Sequence, residues 1–168
     1  MLFRSRNSAT GQTARWDLNS AATYQSGALL SASQLIAEEV AIHADLNADG
    51  IIGAGSTTIE SQGNASLLRQ SDGLAAVQMG GTLYAVSSPF GLGTGDASSE
   101  WQMLAAEAVQ GQNQILWRNN PGNFLHLWNL DASWSWQSSS GNFAPSSAAA
   151  LGLETSFQLD LNGNGLIG

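Results

Sequence analysis

Asp45-Leu46-Asn47-Ala48-Asp49-Gly50-Ile51-Ile52-Gly53 returns as Asp160-Leu161-Asn162-Gly163-Asn164-Gly165-Leu166-Ile167-Gly168, 115 positions later. Glu39 and Glu154 keep that spacing, as do the apolar residues Ile42 and Phe157. Upstream, Trp16-Asp17-Leu18-Asn19 followed by Tyr24-Gln25-Ser26 parallels Trp128-Asn129-Leu130-Asp131 followed by Trp136-Gln137-Ser138, and Leu2-Phe3-Arg4 is read against Leu116-Trp117-Arg118. A period this long exceeds the roughly 20 to 50 residues of a solenoid repeat, so each copy is a small domain in itself. The chain then divides into residues 1–55, the C-terminal half of a first unit, and 56–168, a complete second unit.

Within the complete unit, short alternating runs separated by turn residues predict an antiparallel meander. Gly80-Gly81 reads as a two-residue hairpin turn, and Gly111-Gln112-Asn113 takes the same part before Gln114 to Arg118. Asn119 to Asn123 turns the chain into Phe124 to Trp128, and Ser133-Trp134-Ser135-Trp136 alternates with a period of two, which puts both tryptophans on one strand face. Ser31-Ala32-Ser33-Gln34 is a capping-box pattern ahead of Leu35, Ile36, Glu39, Val40 and His43 at helical spacing, and Ser147 to Phe157 occupies the matching place. The expected fold is mainly β, an α+β chain in which a β-meander ends in a short helix and a loop, about one and a half times over.

The repeated loop carries the chemistry. Asp-x-Asn-x-Asp-Gly-x-Ile places oxygen ligands at positions 1, 3 and 5, a glycine at 6 and a backbone carbonyl at 7, the first half of an EF-hand-like or dockerin-like calcium loop. The candidate ligands are Asp45, Asn47, Asp49 and the carbonyl of Ile51, with Ile52 expected to point inward. The second set is Asp160, Asn162, Asn164 and the carbonyl of Leu166, weaker by one formal charge. Position 12 holds Ser56 where an EF-hand has a bidentate glutamate, so a completing carboxylate is sought in Glu39, its counterpart Glu154, or Glu60. Hard oxygen donors without cysteine select calcium over zinc or copper. The bland alternative is an Asp/Asn/Gly turn capped by its own side chains.

Five of the six tryptophans lie between positions 101 and 136. They read first as the core of a small β-domain; Trp134 and Trp136 are the candidates for stacking on a sugar ring. His43 and His126 stand beside no nucleophile motif, and Glu38-Glu39, adjacent on a helix, diverge, so no catalytic residue is assigned. Gly91-Leu92-Gly93-Thr94-Gly95 lacks the lysine of a phosphate-binding loop and reads as a flexible turn.

Composition narrows the partners. The 168 residues include 13 acidic and 5 basic side chains for a net charge of −8, and all five basic residues are arginine. Such a chain repels phosphate backbones and anionic membranes. The absence of cysteine removes disulfides and thiolate chemistry. No apolar stretch approaches the roughly 20 residues of a membrane span. Met1 to Asn7 has no apolar run after its arginines and is not a classical secretory signal peptide, so either export follows an unconventional or type I-like route or the true N-terminus is missing.

Trp101-x-x-Leu104-Ala105-Ala106-Glu107-x-Val109, Ile115-Leu116-Trp117-Arg118-Asn119-Asn120, Leu127-Trp128-Asn129-Leu130-Asp131-x-x-Trp134 and Glu154-x-x-Phe157-x-x-Asp160-Leu161-Asn162-Gly163-Asn164-Gly165 together resemble the tryptophan-rich C-terminal repeat domain of large cyanobacterial secreted proteins. That resemblance implies an extracellular or cell-surface module, calcium-stabilised, structural or adhesive, and no catalytic activity. The expected function is a non-enzymatic calcium-binding repeat module; the alternative is a carbohydrate-binding adhesin that meets polysaccharide through exposed tryptophans. Both ends of the chain fall inside a unit, which leaves two readings open: head-to-tail association into a filament, or one stretch of a longer repeat chain.

Overall fold

The computed structural model describes residues 2–90 and 93–168, Leu2 by its backbone alone. Of the glycine-rich turn, Gly91 and Leu92 lie outside these residues. Strand takes 40% of the chain and helix 13%, all sheets being antiparallel, which makes the protein mainly β. Contacts divide it into two units, residues 1–55 and 56–168.

The first unit runs β1 (Leu2–Arg6), β2 (Thr13–Leu18), β3 (Tyr24–Leu29) and α1 (Ala32–Ile42), its strands forming one sheet in chain order. The second adds β4 (Ser56–Glu60), β5 (Ser66–Gln70), β6 (Ala75–Met79) and β7 (Thr82–Ala85) as one four-stranded sheet. A second sheet holds β8 (Trp101–Val109), β9 (Gln112–Asn119), β10 (Phe124–Leu130) and β11 (Trp136–Ser139), followed by α2 (Ala148–Phe157). Gly80 and Gly81, both at positive φ, make the β6–β7 hairpin turn as expected. The β8–β9 turn falls one residue earlier than expected, at Gln110 and Gly111. Both have positive φ, and Gln112 already pairs with Val109.

Strand register corrects the alignment of the two copies. Trp16 pairs with Phe3 and Gly27, whereas Trp128 pairs with Ile115 and Ser139. Each ladder has an irregularity one residue later, between Asp17 and Leu18 and between Asn129 and Leu130, and Leu18 faces Tyr24 as Leu130 faces Trp136. Ala22 and Trp134 both take positive φ, 58° and 62°. The sheets therefore superpose at a spacing of 112, so Phe3 corresponds to Ile115 and Arg6-Asn7 to Arg118-Asn119. The helices and loops keep 115, the difference being three residues inserted between β11 and α2. Leu2-Phe3-Arg4 is thus not the counterpart of Leu116-Trp117-Arg118; the two shared letters, Leu and Arg, do not outweigh the strand pairing.

In the second unit the β8–β11 sheet is buried on both faces. One face packs Ile115, Trp117, Trp128, Leu130 and Trp134 with Leu67, Ala75 and Val77 of the other sheet. The opposite face packs Leu116, Leu125 and Leu127 on Ala150, Leu153 and Phe157 of α2 and on Leu161. Each such aliphatic burial contributes about 1.5–3 kcal/mol. In residues 2–55 the positions of Leu116, Leu127 and Leu153 hold Arg4, Arg15 and Glu38. Arg4 Nε donates to Glu38 Oε2 at 2.9 Å and Arg15 Nη1 to Oε1 at 3.4 Å, and the Arg4 bond holds the Glu38 carboxyl below the usual range. A charge-assisted network replaces an apolar contact at the same sheet–helix seam.

The glycine-rich turn is stitched down where it is described. Thr94 is buried, its N–H donates to Gly73 O at 3.1 Å, its carbonyl accepts Met103 N at 2.8 Å, and its hydroxyl accepts Arg69 Nε at 2.6 Å. A β-carbon on Gly95, at φ +61°, would fall 1.9 Å from Trp101 O, so the glycine serves close backbone approach, not flexibility. Among the described residues no helix is long and apolar enough to cross a membrane.

Candidate functional site

Both helices end the same way, and the ending builds the loop. Ser31 and Ser147 cap the N-termini, and His43 and Gln158 close the C-termini in the left-handed region at φ 53° and 52°. One turn before each exit stands a fully buried glutamate. Glu39 accepts Leu46 N and Asn47 N on Oε1 at 3.0 and 3.1 Å and Gly53 N on Oε2 at 3.1 Å. Glu154 repeats this with Leu161 N and Asn162 N at 3.0 and 3.3 Å and Gly168 N at 2.9 Å. Three loop N–H groups thus converge on one carboxylate at 0% exposure in each copy.

The remaining loop oxygens follow one pattern. Asp45 accepts Ala48 N on Oδ1 at 2.6 Å and Gly50 N on Oδ2 at 2.9 Å; Asp160 accepts Gly163 N and Gly165 N, each at 2.7 Å. Asn47 Oδ1 accepts Asp49 N and Asp49 Oδ1 accepts Ile51 N, both at 2.8 Å; in the second loop Asn162 Oδ1 accepts Asn164 N at 2.9 Å and Asn164 Oδ1 accepts Leu166 N at 2.7 Å. The Gly50 and Gly165 amides lead the bonds that hold the Asp45 and Asp160 carboxyls below their ordinary range. Asn47 Nδ2 donates to Asp49 Oδ2 at 2.8 Å, so an amide dipole bridges ligand positions 3 and 5.

This geometry sorts the sequence candidates. Asp45, Asn47 and Asp49 are drawn together on one loop by these bonds, with oxygen lone pairs remaining beyond their N–H contacts. Glu39 and Glu154 stand behind their loops with both oxygens engaged by backbone. Among the described residues no three His, Cys, Asp or Glu side chains converge as a metal-binding cluster. Ile52 and Ile167, expected to anchor the loops inward, are 50% and 55% exposed; the buried glutamates take over that anchoring.

Glu60 lies on β4 near Glu107 of β8, whose charge adds to the burial that raises the Glu60 carboxyl. Glu107 is buried, accepts Asn64 N at 3.1 Å, and occupies the space a side chain at Gly63 would need, 1.8 Å from that ideal β-carbon. Asn64 clamps the same strand, trading hydrogen bonds with Ala108 N and O at 3.1 and 3.0 Å. Burial pushes the Glu107 carboxyl up from 4.5. A raised folded value means that stability is fully present below 4.5 and is lost as pH rises through the folded value. Glu107→Gln is therefore expected to gain on the parent in melting temperature as pH rises from 4.5 and to show no gain below it. A gain that is the same at every pH contradicts this assignment.

The tryptophans divide differently than alternation suggests. Trp134 is not on a strand; it sits in the turn before β11 at positive φ and is fully buried, so it offers no face to a ligand. Trp136 is half-buried against Phe90, with ring centroids 5.3 Å apart. The open aromatic surface lies one strand over, in a cleft of about 390 Å³ lined by Phe90, Trp101, Trp117, His126, Trp128 and Asn142. Trp101 meets Trp117, Phe124 and His126 edge-on, and Trp117 lies 4.7 Å from Trp128. His126 Nδ1 shares a 2.9 Å hydrogen bond with Asn142 Oδ1 at the rim. Sequence reasoning missed Phe90, His126 and Asn142; the cross-strand pair His126–Trp117 was the available signal. His43 caps α1 and is exposed.

A mainly antiparallel β module with a tryptophan-rich sandwich core and a helix-to-loop closure is the class these features define. The model of the tryptophan-rich Synechocystis species C-terminal domain matches residues 76–168, more than half the chain, and the chain belongs to that family. No curated protein and no solved structure matches it. The match stops short of residues 2–55, whose strand register nevertheless repeats that of β9 to β11.

Proposed function

We propose that this chain is a non-catalytic repeat module of exported proteins, structural or adhesive in role, in which the loop after each helix takes a calcium ion. The observation that carries this reading is the duplicated loop: two helices 115 positions apart end in the same left-handed cap, the same buried glutamate and the same succession of Asx oxygens. Asp45, Asn47, Asp49 and the Ile51 carbonyl hold the first ion; Asp160, Asn162, Asn164 and the Leu166 carbonyl hold a weaker second one. Glu39 and Glu154 preorganise the loops without touching the ion. With so few carboxylates, affinity falls in the weak extracellular range, roughly 10⁻⁴ to 10⁻³ M. Repetition of the unit, along one chain or by head-to-tail association of copies, extends the module at the cell surface.

Calcium that binds the native state alone stabilises it by about 2.7 kcal/mol at a hundredfold excess over Kd. The melting temperature is expected to rise with millimolar calcium and to fall with chelator, and Asp45→Ala combined with Asp160→Ala abolishes the response. A parent protein indifferent to calcium, or a double variant that responds as the parent does, removes the reading. A carbohydrate-binding role rests on a separate observation, the aromatic cleft.

A further inference from the structure

We propose that the cleft of the second unit is a binding site for an uncharged pyranose ring of a glycan, held between Phe90 and Trp101 and hydrogen-bonded at its edge by His126 and Asn142. The volume of about 390 Å³ falls in the range of formed ligand sites, about 300–1,000 Å³. Among the described residues its lining holds no Asp, Glu or Arg. On a chain of net charge −8 this neutral lining selects a neutral ligand. Phe90 is 55% exposed, although it touches Trp128 and Trp136 on its inner side, so its outer surface is open to a ring.

The walls are already rigid. Trp101 is fixed by three edge-on neighbours, and Trp117 and Trp128 are held in the sandwich core, so little side-chain freedom is lost on binding. A pyranose presents an apolar C–H face to an aromatic ring and hydroxyls around its perimeter. The site matches that division, with aromatic rings as walls and an imidazole and an amide on the rim. Trp117, which lines the cleft, has a buried indole N–H with no acceptor among the described residues. That N–H is sealed from the cleft, so the hydrogen bonds to the ring fall to His126 and Asn142 at the rim. A proline-rich peptide needs a long groove of parallel ridges; this cleft is short and has edge-on rings.

The repeat supplies a control. At the positions of Trp117 and His126 the first unit has Ser5 and Ala14, and the Trp16 indole N–H there already donates to Ser5 Oγ at 3.0 Å. The first unit therefore lacks the Trp117 and His126 walls of the site.

The test is a titration of the full chain, by tryptophan fluorescence and calorimetry, with cellohexaose, maltohexaose and chitohexaose, and with a proline decamer as contrast. At least one neutral hexasaccharide is expected to bind in the micromolar to millimolar range. Phe90→Ala and Asn142→Ala, both at exposed positions, each weaken it by about tenfold or more at unchanged melting temperature, which is about 1.4 kcal/mol. Trp16→Phe leaves binding unchanged. No signal from any hexasaccharide, binding of the proline decamer in their place, or full affinity in both cleft variants overturns the proposal. None of these outcomes bears on the calcium response, so the two readings fail separately.

Discussion

Glu154→Ala is expected to cost the second unit about 3–5 kcal/mol, because it leaves several loop N–H groups without their acceptor at about 1–3 kcal/mol each. The carboxylate is fully buried, and its two oxygens hold Leu161, Asn162 and Gly168 at once. Leu161 belongs to the apolar cluster under α2, and its carbonyl accepts Arg118 Nη2 at 3.0 Å, so the loop's release loosens the sheet–helix face as well. Glu154→Gln keeps one acceptor oxygen but turns an NH₂ toward a backbone N–H, and is expected to lose about half as much. Urea denaturation at constant m value measures both. A loss below about 1 kcal/mol for the alanine variant contradicts a closing role for the carboxylate.

Trp134→Ala is the second large effect, about 3–5 kcal/mol, the cost of emptying a buried indole site. The ring is at 0% exposure in the sandwich core, and the backbone around it is joined to the segment after β7: Trp134 O accepts Ser87 N at 3.1 Å, and Trp136 N donates to Ser87 O at 2.8 Å. The first unit carries Ala22 at the corresponding position, also at positive φ, so the turn itself does not need the indole. Trp134→Gly separates the contributions. Glycine removes the left-handed strain worth about 1 kcal/mol but also the ring, so it is expected to be slightly less damaging than alanine. If both variants melt with the parent, the ring does not hold the core.

Local patterns were legible wherever one stretch of about ten residues holds the whole signal. The Gly80-Gly81 hairpin, the Ser31 capping box and the Asx loops all satisfy backbone groups with neighbours in sequence, so residue order specifies them. Trp134 shows where that logic stops. Its spacing to Trp136 is that of a strand, but Asp131 pulls the segment into a turn by accepting Ser133 N and Ser135 N, a side-chain contest that alternation does not register. The shift from a spacing of 112 to 115 was hidden for a related reason: letters align by identity, whereas strands align by hydrogen-bond register.

The sequence by itself determined that one architecture is repeated, that it is mainly β, and that each helix runs into a loop of Asp, Asn and Gly. Only the tertiary structure decided what the side chains around those elements do. Glu39 and Glu154 became loop acceptors because helix geometry buries them beneath the amides. Arg4, Arg15 and Glu38 replaced a leucine contact because two strands and a helix meet there. The aromatic cleft draws on residues as far apart as Phe90 and Asn142, and segments so distant share a surface only once the sheet register places them side by side.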